Sequence, residues 1–203
     1  MSEPRTTATS VSEVAPGVWH WHIFDERIGG HISAAHAVRS DQGVVVIDPL
    51  PLAPEALQAL GTVEAVCLTA SGHQRSAWRL RRELGARVWA PMLATELEEE
   101  PDERYSEGER PGGLLAYFTP GAGTRQHSLL LEQSGGVLFT PDLFAHPPDG
   151  ELAFVSAQYM HDPEQARRTA QALLELDFAV LCTSHGLPVT EDPKAAIQAA
   201  IAS

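Results

Sequence analysis

Residues 64–90 read EAVCLTASGHQRSAWRLRRELGARVWA, and the order of patterns within them decides the fold class. Glu64 to Thr69 is a short apolar run of strand length. Gln74 to Leu84 then carries Ala77, Leu80 and Leu84 at helical spacing, and Gly85 supplies a C-terminal stop. Val88 to Ala90 is a second short strand, which makes the whole stretch a βαβ unit of the kind that lays helices on sheets.

Upstream of this unit, Gly17 to Ile23, His31 to Arg39 and Gly43 to Asp48 read as strands separated by glycine-containing or Asp-Gln-Gly turns, an antiparallel meander. Pro54 to Leu60 is helical. Residues 1–13 are polar, rich in Ser and Thr and without period, so a flexible N-terminal tail is expected, with the fold beginning at Val14. Downstream, ELEEEPDERYSEGER from Glu96 to Arg110 mixes charges with Pro and Gly and reads as a solvated loop. Leu114 to Thr119, Ser128 to Glu132 and Val137 to Thr140 form a second set of strands, punctuated by Gly121, Gly123 and the Gly135-Gly136 turn. Asp162-Pro163-Glu164-Gln165 supplies an N-cap, a first-turn proline and a capping-box residue ahead of Ala166, Ala170, Leu173 and Leu174, which predicts a helix. Phe178 to Cys182 is a strand, and Asp192-Pro193 caps a final helix through Ile201. With no repeat and no linker, residues 14–203 form a single domain.

The chain has 203 residues, and its 27 acidic against 14 basic residues give a formal net charge of -13. Such a field repels phosphate backbones and anionic headgroups, so neither nucleic acid nor a membrane is an expected partner. No apolar run is long enough to cross a bilayer, and Met1 to Pro16 lacks the basic start and apolar stretch of a signal peptide, so the expected location is cytoplasmic. Cys67 and Cys182 stand alone in apolar runs and read as buried thiols. There is no G-x-S-x-G elbow, P-loop or dinucleotide fingerprint.

Several landmarks, in order along Val14 to Ser203, resemble the metallo-β-lactamase superfamily. Val14-Ala15-Pro16-Gly17-Val18 is similar to its opening strand, and Val44-Val45-Val46-Ile47-Asp48-Pro49 to the strand that ends in Asp before the first helix. Val66-Cys67-Leu68-Thr69 resembles the strand leading into the metal motif. Phe118-Thr119-Pro120-Gly121 and Val137-Leu138-Phe139-Thr140-Pro141-Asp142 resemble the approaches to later ligand loops, and Ser184-His185-Gly186 the terminal His-Gly element. The fold this implies is α/β: a four-layer αβ/βα sandwich, two mixed β-sheets face to face with helices outside, in agreement with the element order read independently.

In that family the motif T-H-x-H-x-D-H brings imidazoles and a carboxylate to one or two metal ions, which hold and acidify a water. Counted from Thr69, the four ligand positions are Ala70, Gly72, Gln74 and Arg75, and Ala122 stands at the histidine of the Gly-His-Thr element. Asp142 and His185 match the bridging carboxylate and the final histidine. The resemblance therefore implies a scaffold that is not a dinuclear zinc hydrolase and needs no cofactor, its cleft reused for a small molecule or an anion. Pocket and anion-binding candidates are Arg75, His73, His31 and Ser71, with Arg75 taking the electrostatic place of a metal. The alternative is one zinc or iron ion held by Asp142, His185 and either His73 or His127, serving hydrolysis of an ester, thioester or amide. A homo-oligomer without chemistry is the third possibility. His20 and His22 share one strand face and can chelate as a pair, although alternation with Trp21 and Ile23 accounts for them as an ordinary half-buried strand.

Overall fold

The computed structural model describes residues 2–203, among which the chain forms twelve strands and four α-helices. In chain order these are β1 (Ser12–Ala15), β2 (Val18–Asp25), β3 (His31–Arg39), β4 (Val44–Ile47), α1 (Pro54–Leu60), β5 (Val63–Cys67), α2 (Ala77–Leu84), β6 (Arg87–Pro91), β7 (Glu103–Tyr105), β8 (Leu115–Phe118), β9 (His127–Leu131), β10 (Val137–His146), β11 (Ala153–Phe154), α3 (Pro163–Leu173), β12 (Val180–Gly186) and α4 (Pro193–Ala202). Strands β1 to β7 lie side by side in sequence order, antiparallel as far as β4 and parallel from β4 to β7. The second sheet runs β8-β9-β10, antiparallel, with β11 and the parallel β12 also on β10.

Both sheets are buried on two faces, and strand alternation assigns each side chain to one of three cores. Val44 and Val46 of β4 point to α1 and α2, where they meet Leu60, Trp78 and Leu80. Val45 and Ile47, one residue out of phase, point the other way and meet Leu129, Phe139 and Cys182 of the second sheet. Leu138 and Leu181 then face α3 and α4 with Ala166, Ala170, Leu173 and Ile197. Three apolar interfaces between helix, sheet, sheet and helix give the expected four layers. The N-caps of Asp162 and Asp192 act as their sequence predicts, accepting from Gln165 N at 2.9 Å and Ala195 N at 3.2 Å. Cys67 and Cys182 are both buried and free, and among the described residues no helix is long and apolar enough to cross a membrane.

Two segments carry more structure than their composition suggests. The N-terminal one makes contacts with the fold ahead of Val14; Met1 lies outside the described residues. Ala8 is buried in the helix-side core, its N–H donates to Pro51 O at 2.9 Å and its carbonyl accepts from Ala53 N at 2.8 Å, and Ser12–Ala15 adds a strand to β2. Its polar composition hides two apolar anchors, Ala8 and Val11. The acidic stretch is likewise more than a solvated loop, because it contains β7. Tyr105 is fully buried there, and its hydroxyl donates to Leu68 O at 2.6 Å. Exposed acids around one buried aromatic conceal an edge strand, and charges on an edge discourage further pairing.

Leu129 lies wholly inside the inter-sheet core. Leu129→Ala is expected to cost about 2–5 kcal/mol through lost burial and the cavity left behind, read as a lower denaturant midpoint at an unchanged m-value.

Candidate metal centre

Where β4 stops, Asp48 adopts a left-handed backbone with φ of 48°, a conformation that costs a non-glycine residue roughly 1 kcal/mol or more. Its carboxylate fixes it there. Oδ1 accepts from Thr69 N at 2.8 Å, and Oδ2 accepts from Thr69 Oγ1 at 2.5 Å and His73 Nδ1 at 2.8 Å. Thr69 follows β5, and the single 3-10 turn Ser71–His73 swings the His73 ring back towards it. Arg75, next along, is also left-handed, with φ of 35°.

Asp142 arrives from β10 by a break in pairing. Thr140 pairs with Thr183, but the next register match joins Ala145 to His185, so β10 advances by five residues where β12 advances by two. Pro141 sits in this excursion and has no N–H to give a ladder. The excursion points the Asp142 carboxyl at His185, on β12, whose backbone position is locked by its neighbour. Gly186 has φ of 112°, and any Cβ there would lie 1.9 Å from His146 O.

Three side chains meet at this point. His73 Nε2 lies 3.0 Å and His185 Nε2 2.8 Å from the same oxygen, Oδ1 of Asp142. The other nitrogen of each ring faces an acceptor. Nδ1 of His73 donates to Asp48, and Nδ1 of His185 donates to Ile32 O at 2.9 Å. Both Nδ1 atoms therefore carry the proton, and both Nε2 atoms are left either to be protonated or to offer a lone pair to a cation. The three ligand atoms lie within 4.8 Å of one another, the one such group of three among the described residues. Two imidazoles and a carboxylate with oriented outer partners fit one divalent transition ion.

Electrostatics agree with a cation-shaped site. Burial disfavours charge on His73, yet the carboxylates of Asp142 and Asp48 outweigh it and push its pKa up to about 9. Burial would raise the Asp142 pKa, but the His73 charge and the bonds from His185 and His73 hold it well below the ordinary carboxylate range. Without a metal, a proton on His73 offsets part of the charge of the two carboxylates.

The family model described as the metallo-beta-lactamase superfamily matches residues 11–201. The chain belongs to the metallo-β-lactamase superfamily. Solved structures agree on the fold. A metallo-β-lactamase from Pontibacter korlensis is similar at a TM-score of 0.74 and 18% identity, covering 96% of this chain and 99% of that one. One from Erythrobacter litoralis gives a TM-score of 0.65 and 18% identity over 95% and 90% of the two chains. An archaeal superfamily protein from Sulfolobus tokodaii gives a TM-score of 0.66 and 16% identity over 84% and 79%. No curated protein sequence matches.

Within this metallo-β-lactamase superfamily fold, the residues counted from Thr69 take up places of their own. Gln74 is turned into the fold, where Oε1 accepts from Trp78 Nε1 and from Glu98 N, both at 2.7 Å. Arg75 does not offer an anion site in an open cleft. It is 3% exposed, and its Nη1 donates to Ala34 O at 2.7 Å and Asp48 O at 3.1 Å. Its guanidinium braces β3 against the end of β4. Ser71 is half-buried on the turn that carries His73, while His31 is exposed at the start of β3 opposite Asp25. Neither joins the three-residue group. His127 does not join it either: its ring packs between Tyr105 and Phe118, each centroid 5.3 Å away, and burial lowers its pKa to about 4. His73 is thus the third ligand candidate, and not His127. The outer partners Asp48, Thr69 and Ile32 O were not among the expected site residues, although the sequence carried one signal for them in the strand ending at Asp48.

The raised His73 pKa fixes a sign for metal-free stability. A folded pKa of about 9 against an unfolded value near 6.5 stabilises the fold fully below pH 6.5 and loses that contribution as pH rises through 9. The loss is on the order of 3 kcal/mol by the free energy of a pKa unit. His20, His36 and His127, whose pKa values are lowered by burial, act oppositely and only below pH 6.5. Chelator-treated protein is expected to lose stability in urea between pH 7 and 9.5, and His73→Gln to remove most of that slope. Parallel slopes in the two proteins would refute the assignment.

Proposed function

We propose that this protein is a hydrolase that works with one divalent metal ion, zinc or iron, held by His73, Asp142 and His185. The observation that carries the reading is the convergence of two imidazole Nε2 atoms on one carboxylate oxygen, each ring pinned at Nδ1 by an acceptor. An ion bound there supplies Lewis acidity and lowers the pKa of water, the chemistry that cleaves an ester, thioester or amide. The protein's own part is orientation and access. Asp48 and the Ile32 carbonyl keep both Nε2 lone pairs aimed inward, and the acidity of Asp48 makes His73 a stronger donor. The Asp142 side chain is 42% exposed and that of His185 20%, so the group opens to solvent, where a carbonyl substrate can approach. His73, at 5%, closes the inner side. A cleft built around Arg75 for anions is the weaker reading, since that guanidinium is buried against backbone carbonyls.

The test is metal analysis of the purified chain, zinc titration, and a panel of ester, thioester and amide substrates. His73→Ala, Asp142→Ala and His185→Ala are each expected to abolish one equivalent of bound ion and lower kcat/KM at least about 100-fold. Asp48→Asn is expected to weaken ion affinity about 10–100-fold while leaving the three ligands in place. Ion uptake or hydrolysis that survives Asp142→Ala unchanged would overturn the proposal.

A further inference from the structure

Away from Asp142, the face of β2 and β3 turned to the second sheet carries a row of three imidazoles. His20 pairs with His36 across the two strands, and His22, two residues on, shares the face of His20. His36 Nε2 lies 3.2 Å from His20 Nδ1, and His20 Nε2 lies 3.3 Å from His22 Nδ1. Trp21 and Ile23 occupy the opposite face, in the helix-side core. His36 is buried against Phe139, His20 is also buried, and His22 is half-buried. The row ends in a cleft of about 550 Å³ whose lining includes His20, His22, Phe24, Ser12 and Thr190. His73, Asp142 and His185 do not line it.

Strand alternation explains why Trp21 and Ile23 point to the core, but it does not require imidazoles at the intervening positions. Two nitrogens about 2.0–2.1 Å from one tetrahedral ion stand about 3.3 Å apart, which is the separation of His20 Nε2 and His22 Nδ1. We propose that His20 Nε2 and His22 Nδ1 chelate a second divalent transition ion at the floor of this cleft, with His36 as the partner that orients His20. The tautomers permit it at little cost. With Nδ1–H of His20 donating to His36 Nε2, the His20 Nε2 lone pair is free, and His22 need only carry its proton on Nε2. Two protein ligands leave coordination positions open to water or a small oxygen ligand from the cleft, where Ser12 and Thr190 stand. The ion fits zinc, nickel or copper(II), which favour imidazole nitrogen.

The test uses the untagged full chain with Asp142→Ala/His185→Ala, which leaves only His73 of the first centre. This protein is expected to bind one equivalent of zinc in calorimetry and dialysis, and to lose it when His22→Ala is added. Loaded with copper(II), the double variant is expected to give an electron paramagnetic resonance signal coupled to two imidazole nitrogens, a readout that needs no change at His22. No uptake by the double variant, uptake indifferent to His22→Ala, or coupling to fewer than two nitrogens overturns the inference. If instead the wild type and the double variant bind the same single equivalent, dependent on His22, this site stands and the centre at Asp142 falls.

Discussion

The carboxylate of Asp48 is the contact on which the rest of the centre depends. It ends β4, reaches across to the residues that follow β5, and ties backbone and side chain of Thr69 together with the ring of His73. One acidic group thereby holds two parallel strand ends at fixed separation, and it does so from a strained left-handed residue. Strain of that kind persists only where surrounding bonds over-determine it. The Arg75 guanidinium adds a second brace by donating to the Asp48 carbonyl, so a loop rich in small residues is tied at both its start and its end.

Much of the architecture was legible because local signals and global fold agree. The βαβ pattern of Glu64 to Ala90, the period-two strands and the Asp-Pro caps all appear where they were expected. Less legible were elements whose evidence is a single residue. Tyr105 is one aromatic among acids, and Ala8 one small apolar residue among hydroxyls, and both owe their burial to tertiary partners. The long reach of β10 to His146 was also hidden, since Pro141 reads locally as a stop.

The candidate centre was legible up to the choice of its third member, for a related reason. Asp142 and His185 sit where the family resemblance places them, but His73 falls between the motif positions Gly72 and Gln74. Register counting along an extended strand gives it no ligand position, so the sequence leaves the third ligand open between His73 and His127. A 3-10 turn advances differently from a strand, and it brings the ring of His73 onto Asp48 and Asp142. Arg75 shows the opposite case: its charge suggests a ligand site, whereas in the fold it is buried and bonded to backbone carbonyls.

The centre also joins remote parts of the chain. His73 and Asp142 are 69 positions apart, Asp142 and His185 are 43 apart, and the carbonyl that holds His185 belongs to a residue 153 positions earlier. Contacts of such sequence separation each require a large loop to be closed, an entropic cost that the folded state has already met. A nascent or truncated chain therefore presents scattered single ligands with little grip on a cation, whereas the finished fold presents them together. An ion held as proposed would couple to global unfolding instead of local fraying, as a latch between the first sheet and the last strand.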